Sequence, residues 1–157
     1  MKESSMVIRL VIFLALNFGA LALGGLFTGK GVPSDWYINL NKAPWTPPGW
    51  VFGTAWTTIM ICLGVYMAYL WPLSEHKNLL LGIYVFQLIL NIGWNPTFFY
   101  YHNVLGGLIL ISLLTALIGF MLFFYWTELK LKSFLIAPYL IWLLIATSLN
   151  GYAWFKN

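Results

Sequence analysis

The sequence predicts an all-α integral membrane protein, a bundle of five transmembrane helices. Its composition is the first reason: 61% of the 157 residues are hydrophobic and only 8% are charged, and the mean hydropathy is +0.83. A soluble domain of this size could not bury so much apolar surface. The second reason is that charged residues are absent from four long stretches: 10–29, 43–74, 78–127 and 133–155.

These stretches divide into five spans, because about 20 apolar residues cross the hydrocarbon core once. The stretch 78–127 is about twice that length, and His102-Asn103 near its midpoint marks a turn between two helices. The first span is longer than the apolar region of a signal peptide, so we expect it to remain as a helix. The predicted helices lie at about 6–28, 50–71, 79–101, 104–126 and 134–155, in a single domain over residues 1–157.

The loop between the first and second helices is rich in tryptophan and proline. Exposed indoles are unfavourable in water, so we expect Trp36 and Trp45 to hold this loop against the protein. Proline restricts its own φ and disfavours helix at the preceding residue. Pro44 and Pro47-Pro48 therefore predict a stiff, extended segment that caps a pocket.

Basic residues are scattered singly, which indicates topology signals and lipid headgroup contacts and argues against a nucleic-acid partner. Five spans place the two termini on opposite sides of the membrane. The positive-inside rule then favours a cytoplasmic amino terminus. The amino-terminal side would carry Lys2, Arg9, Lys77, Lys130 and Lys132, and the other side Lys30, Lys42 and Lys156.

The positions of the ionisable residues argue against several classes of membrane protein. The acidic residues all fall in loops or near the amino terminus, so no carboxylate would relay protons at membrane depth. His76 and His102 lie 26 positions apart in sequence without clustered partners, so we expect no metal site. Phosphate-binding, dinucleotide and nucleophile-elbow motifs do not occur either. The acidic residues are Glu3, Asp35, Glu75 and Glu128.

Aromatic and amide side chains remain inside the predicted spans, at helical spacing. Two interpretations stay open. The stripes can be ordinary helix packing, with amides bonding between helices and tryptophans at the interfaces. Alternatively, indoles within the spans can line a site for a flat apolar guest. The stripes contain Phe52 and Trp56 on the second helix, Gln87, Asn91, Trp94 and Phe98 on the third, and Pro138, Trp142, Ala146, Leu149 and Asn150 on the fifth.

Several separated blocks resemble the translocator protein family, also called TspO/MBR, tryptophan-rich sensory proteins or peripheral-type benzodiazepine receptors. The resemblance extends over essentially the whole chain and implies five helices with the first loop folded over a pocket. The matching blocks are Trp36-Tyr37 with Leu40 and Lys42, Pro44-Trp45-Thr46-Pro47-Pro48, Phe52 with Trp56, Gln87-Leu88 with Asn91 and Trp94, Phe98-Phe99, and Pro138-Tyr139-Leu140-Ile141-Trp142 with Ala146 and Leu149-Asn150.

The resemblance implies binding of protoporphyrin IX and related tetrapyrroles, and of isoquinoline and benzodiazepine-type ligands. It also implies a role in regulating tetrapyrrole levels. No cofactor is expected, because porphyrin itself is the ligand or substrate. Bacterial members are associated with light- and oxygen-dependent protoporphyrin breakdown, so the resemblance leaves open whether the chain is an enzyme. A transporter of tetrapyrroles or sterol-like lipids, and a stress-sensing regulator acting through a protein partner, are the alternatives.

Family residues carry over position by position. Trp56 and Trp142 match the tryptophans tied to porphyrin breakdown. The sterol motif matches weakly at Leu149, Tyr152 and Lys156, which can equally be interfacial anchors. The implied ligand-binding residues are Trp36, Tyr37, Pro44, Trp45, Phe52, Trp56, Asn91, Trp94, Phe98, Trp142, Ala146 and Leu149.

The resemblance also sets expectations about location, partners and helix shape. We expect a bacterial cell membrane, lipid and sterol contacts, and a homodimer formed through small residues such as Gly49 and Gly53. Asn95-Pro96 stands where many relatives have less disruptive residues. Pro96 should free the carbonyl of Ile92 and bend the third helix.

Overall fold

The computed structural model describes residues 2–157, with side chains from Ser4 onward. The side chains of Lys2 and Glu3, which entered the charge arguments above, lie outside this description. The described chain consists of helices and the loops that connect them, and it contains no strand. Its helices are α1 (Lys2–Gly31), α2 (Asp35–Asn39), α3 (Gly49–Leu73), α4 (Lys77–Asn95), α5 (Val104–Phe124), α6 (Trp126–Leu129) and α7 (Ala137–Lys156).

Five helices are long and apolar enough to cross a membrane, which confirms the predicted fold class. They are α1, α3, α5, α4 together with the π-helical turn Pro96–Tyr100 that continues it, and the segment Trp126–Lys156, which contains α6 and α7. A 3-10 helix, Lys130–Ile136, leads into α7. The predicted turn at His102-Asn103 is also present, because Asn103 caps α5 by accepting a hydrogen bond from the backbone N–H of Gly106 at 2.8 Å.

The five spans form a closed ring. Helix α1 packs against α3 and α4, α4 packs against α5, and α5 packs against α7. The ring closes where α7 meets α3, and this is the least extensive of the five contacts. Fully buried side chains such as Tyr66, Leu114 and Leu143 fill the centre.

A buried amide joins three of the helices. Asn17 on α1 is inaccessible to solvent and donates a hydrogen bond to the carbonyl of Met60 on α3 at 3.0 Å. Its side-chain oxygen accepts one from the hydroxyl of Tyr84 on α4 at 2.7 Å. Because hydrocarbon offers no water to bond with, each buried polar group needs such a partner.

Arg9 corrects one sequence interpretation. It lies within α1, half-buried, and its Nε donates to the carbonyl oxygen of Ala68 on α3 at 3.2 Å. That carbonyl lacks its usual helical donor, because Pro72, four residues later and inside α3, has no N–H. Arg9 is therefore a helix-to-helix contact rather than only a topology signal for the loops.

The first loop is only in part the extended segment that its prolines predicted: Pro48 is extended, with φ −57° and ψ 149°, but other residues form a helix and a turn. Residues 35–39 form α2, with the side chain of Ser34 accepting from the backbone N–H of Tyr37. A turn follows, in which the N–H of Thr46 donates to the carbonyl of Ala43 at 2.9 Å. Proline's fixed φ is also the value that the second residue of a common β-turn requires, and Pro44 occupies that place. We call residues 32–48 the strap.

Pro96 changes the hydrogen-bond pattern of the third span, as expected. The α-helix ends at Asn95, and the next five residues form a π-helical turn. Two nearby side chains form hydrogen bonds with backbone carbonyls here. The side chain of Asn95 donates to the carbonyl of Asn91 at 3.0 Å, and that of Thr97 donates to the carbonyl of Gly93 at 2.8 Å. The altered turn projects Phe98 and Phe99 into a buried cluster.

Candidate functional site

The strap is held to the bundle at its first end by aromatic stacking. The indole of Trp36 lies parallel to the ring of His102, with centroids 4.3 Å apart. The same indole meets Phe98 edge-on at 5.4 Å, and Tyr37 packs on Phe99 at 5.5 Å. His102 has a positive φ of 53°, which ends the third span sharply and leaves its ring beside the strap. The predicted packing of the strap onto the protein is therefore confirmed.

Lys42 fixes the shape of the strap. Its ammonium group donates to the carbonyl oxygens of Tyr37 at 2.6 Å, Ile38 at 3.2 Å and Leu40 at 3.3 Å. These carbonyls lie at the carboxyl end of α2, where a positive charge is stabilising. The same ammonium lies 4.7 Å from the centre of the Tyr37 ring. Burial raises the pKa of the Tyr37 phenol.

The second end of the strap is fastened to α7. The indole N–H of Trp45 donates to the hydroxyl of Ser148 at 3.1 Å, and its ring meets Tyr152 edge-on at 5.3 Å. Asn41 and Asn157 are joined by two backbone-to-side-chain hydrogen bonds, at 2.9 and 3.3 Å. The strap thus extends from the end of the third span, at His102, to the end of α7.

Beneath the strap, α3 and α7 meet through aromatic rings. Phe52 lies edge-on to Trp142 with centroids 5.2 Å apart, and Trp56 lies edge-on to Tyr139 at 5.9 Å. We call these four residues the α3–α7 seam. Trp142 is only 6% exposed and Trp56 is partly buried against the core, so neither indole points into lipid. Among the described residues, neither indole N–H has a hydrogen-bond acceptor, whereas the indole N–H groups of Trp45 and Trp94 do.

Tyr139 connects the seam to α4. Its hydroxyl donates to the side-chain oxygen of Gln87 at 3.0 Å and accepts from the amide of Asn91 at 2.8 Å. Tyr139 is 1% exposed. Asn91, a predicted ligand residue, therefore has its amide donor committed to a bond between helices.

Trp94 joins the seam to the strap. Its N–H donates to Asn150 on α7 at 3.2 Å, and its ring stacks on Phe98 at 5.4 Å. It packs against both the main core and the smaller cluster under the strap. The predicted ligand residues thus fall into two connected groups, one at the seam and one beneath the strap.

The remaining predicted residues lie along the rim. Pro44 and Trp45 are exposed, and Leu149 is half-buried. Ala146 is buried one turn after Trp142. The ammonium of Lys156 lies 6.0 Å from the Tyr152 ring, an arrangement that also suits an interfacial anchor.

Sequence reasoning missed the role of Tyr139 and His102. Tyr139 could have been recognised because it stands three residues before Trp142, on the same helical face. His102 carried no such signal, since its stacking on Trp36 joins segments 66 residues apart in sequence. In the part of the chain that the structure describes, no cluster of histidine, cysteine and carboxylate side chains could hold a metal ion.

Comparisons with known proteins agree with this architecture. The model of the TspO/MBR family matches residues 11–155. The chain is 35% identical over 154 residues to the tryptophan-rich protein TspO of Chlorobaculum tepidum, covering 96% of this chain and 95% of that one. It is 32% identical over 146 residues to protein CrtK of Rhodobacter capsulatus, covering 91% of each. It is 30% identical over 148 residues to the translocator protein of Homo sapiens, covering 92% of this chain and 86% of the human protein.

Proposed function

Because the chain belongs to the TspO/MBR family, we propose that it is a membrane receptor for tetrapyrroles, with protoporphyrin IX as the representative ligand, and that isoquinoline and benzodiazepine-type ligands compete for the same site. One observation carries the proposal. Trp56 on α3 and Trp142 on α7 each pack edge-on against an aromatic ring of the other helix, where these two helices make the least extensive contact of the ring, and neither indole N–H has an acceptor within the described chain.

A planar macrocycle suits such a site for physical reasons. Indoles offer large flat apolar faces at little conformational cost, and stacking on them removes apolar surface of both partners from lipid and water. An indole N–H without a partner in an apolar region is also a donor for a polar atom of the guest. Trp56 and Trp142 supply both properties from opposite sides of the seam.

The position of the strap at one end of the bundle also supports the proposal. Its contacts with His102, Ser148 and Asn157 place it over the end of the bundle, where it would cover the exposed edge of the guest. The propionate groups would stay at this surface, because an unpaired carboxylate in hydrocarbon is unfavourable by several kcal/mol. Lys42 contributes positive charge at the same end of the molecule.

Breakdown of the bound ring in light would consume molecular oxygen. Both oxygen atoms add across one bridging carbon–carbon double bond, that bond breaks, and each of its carbons ends as a carbonyl. The reaction needs no other oxidant or reductant. The indoles of Trp56 and Trp142 would hold the ring in place. An electron that an indole donates to the excited ring would return to the oxidised indole as oxygen adds, so the indole is regenerated and no net reductant is used.

The test is a fluorescence titration of the purified protein with protoporphyrin IX, in the dark and then in light. We expect saturable quenching of tryptophan emission by one porphyrin per chain. Trp142→Ala should weaken binding by about tenfold or more, since it removes a large buried contact surface. Trp126→Ala is the matched control, because that indole lies on α6 at the opposite end and packs on Phe134. Equal affinity of the two variants would refute the proposed site.

A transporter is the second candidate, and the α3–α7 seam favours it. The least extensive contact of the ring is where helices separate most readily, so a guest could pass laterally into the bilayer. Porphyrin flux across sealed vesicles in the dark distinguishes the two roles. Flux that depends on the protein and is lost in Trp142→Ala supports transport, and its absence supports a receptor.

A further inference from the structure

A cavity lies at the surface of the strap end, apart from the seam. It has a volume of about 590 Å³ and sits between α2, the turn before α5 and the last turn of α7. Trp36 and Leu40 line it from the strap, His102 from the turn, and Trp154 from α7. Asp35 completes one side with its carboxylate.

Aromatic residues around this end mark its depth in the membrane. Tyr100 and Tyr101 close the third span and are 67% and 71% exposed, and Phe155 near the end of α7 is 77% exposed. Exposed aromatic rings at the ends of spans are typical of the boundary between hydrocarbon and water. The cavity therefore opens at the level of the phospholipid headgroups.

The charge of the cavity is negative. Of the described residues that line it, Asp35 is the acidic one, and none is lysine or arginine. Two lysines of this end have partners outside the cavity lining: Lys42 bonds to strap carbonyls, and Lys156 lies over Tyr152. A cavity lined by one acidic residue and two indoles attracts cations, particularly weakly hydrated organic ones.

We propose that this cavity binds the ammonium headgroup of a membrane phospholipid, choline or ethanolamine. The carboxylate of Asp35 and the indoles of Trp36 and Trp154 receive the ammonium, while the acyl chains stay in the surrounding bilayer. Stacking on His102 at 4.3 Å holds the plane of Trp36, so one wall of the site is formed before the lipid arrives. A bound lipid joins the strap to α7 and thereby stabilises the closed strap.

The test uses short-chain phosphatidylcholine below its micelle concentration, added to the purified full-length protein in a detergent without an ammonium group. Lipid retention is followed by native mass spectrometry and by tryptophan emission. We expect saturable binding that weakens about fivefold to tenfold in Asp35→Asn and in Trp154→Leu, as loss of a charge contact or a cation–π contact predicts. Glu75→Gln, an acidic residue at the opposite end of the bundle, is the matched control and should bind like the unaltered protein.

Three results would overturn the proposal. They are unchanged binding in both Asp35→Asn and Trp154→Leu, equal binding of phosphatidylglycerol with the same chains, and free choline binding as tightly as the lipid. The last result would assign the cavity to a soluble amine. Circular dichroism confirms that each variant is folded. Since no porphyrin enters this experiment, its failure leaves the receptor proposal intact.

Discussion

Trp56 and Trp142 are the residues to which we assign the light-dependent breakdown of bound porphyrin. Each meets an aromatic ring across the α3–α7 seam, at 5.9 and 5.2 Å respectively. Replacing either with phenylalanine keeps a flat apolar ring but removes the electron-rich indole. We expect both variants to bind protoporphyrin within about threefold of the unaltered protein, while light-dependent bleaching slows strongly. Absorbance decay under illumination measures this, and bleaching at the original rate would exclude that indole from the reaction.

Tyr139 is the residue that fixes the seam to α4. Tyr139→Phe removes one hydroxyl and leaves the buried side chains of Gln87 and Asn91 without that partner. We expect a loss of about 1–3 kcal/mol in the free energy of unfolding, together with a shift in Trp56 emission because the ring beneath it is less restrained.

Tyr152→Phe provides the control for that change. It removes the same hydroxyl from a half-buried ring that contacts Trp45 edge-on and keeps this contact. Denaturation in detergent, followed by circular dichroism, should show little change for this variant. Equal destabilisation of the two variants would contradict the structural role assigned to the Tyr139 hydroxyl.

At the scale of helices, α1 and α3 are coupled through a proline. Pro72 withholds a donor from the carbonyl of Ala68, and Arg9 supplies one at 3.2 Å. Arg9→Met should therefore destabilise the protein by about 1–3 kcal/mol. In the Pro72→Ala background a backbone N–H satisfies the same carbonyl, so the cost of Arg9→Met should fall.

A double-mutant cycle measures this coupling. Equal costs of Arg9→Met in the two backgrounds would show that Arg9 contributes through packing or charge, without the Ala68 carbonyl. Arg9→Lys tests the geometry, because a lysine keeps the charge but lacks the planar donor set of the guanidinium. We expect it to recover only part of the stability.

The strap shows how much of a loop's conformation can be predicted from its prolines alone. They predicted rigidity, and the packing of Trp36 and Trp45 was also expected from their apolar surface. The helix Asp35–Asn39 and the turn at Ala43–Thr46 were not predicted. Both depend on side-chain hydrogen bonds. Lys42 donates to three carbonyls of the strap, and the indole of Trp45 donates to the hydroxyl of Ser148. A local φ preference is compatible with several shapes, and these distant contacts select one.

Across the whole molecule, neither histidine has a ring contact or hydrogen bond with a seam residue among the described contacts. His102 stacks on the strap, and His76 precedes α4 at the other end of the bundle. Ring stacking rather than iron ligation should therefore supply the affinity for a tetrapyrrole. We expect iron-free protoporphyrin IX to bind at least as tightly as haem, measured by quenching in parallel titrations.

Substitution of the histidines sharpens this comparison. His76→Ala should leave the affinity for haem unchanged. His102→Ala should alter the two ligands equally, through the strap. A selective loss of haem binding in either variant would indicate axial ligation and contradict the stacking model.

The sequence alone predicted that this chain folds in a membrane and that it crosses the membrane five times. Those properties are set by hydropathy summed over about 20 neighbouring residues and by the free energy of transferring charges out of water, so they are local. Only the tertiary structure decided that Trp36 lies on His102, that Arg9 reaches Ala68 and that Tyr139 binds two α4 amides. Such pairings depend on how the helices rotate and close into a ring, which is a property of many contacts acting together rather than of any one segment.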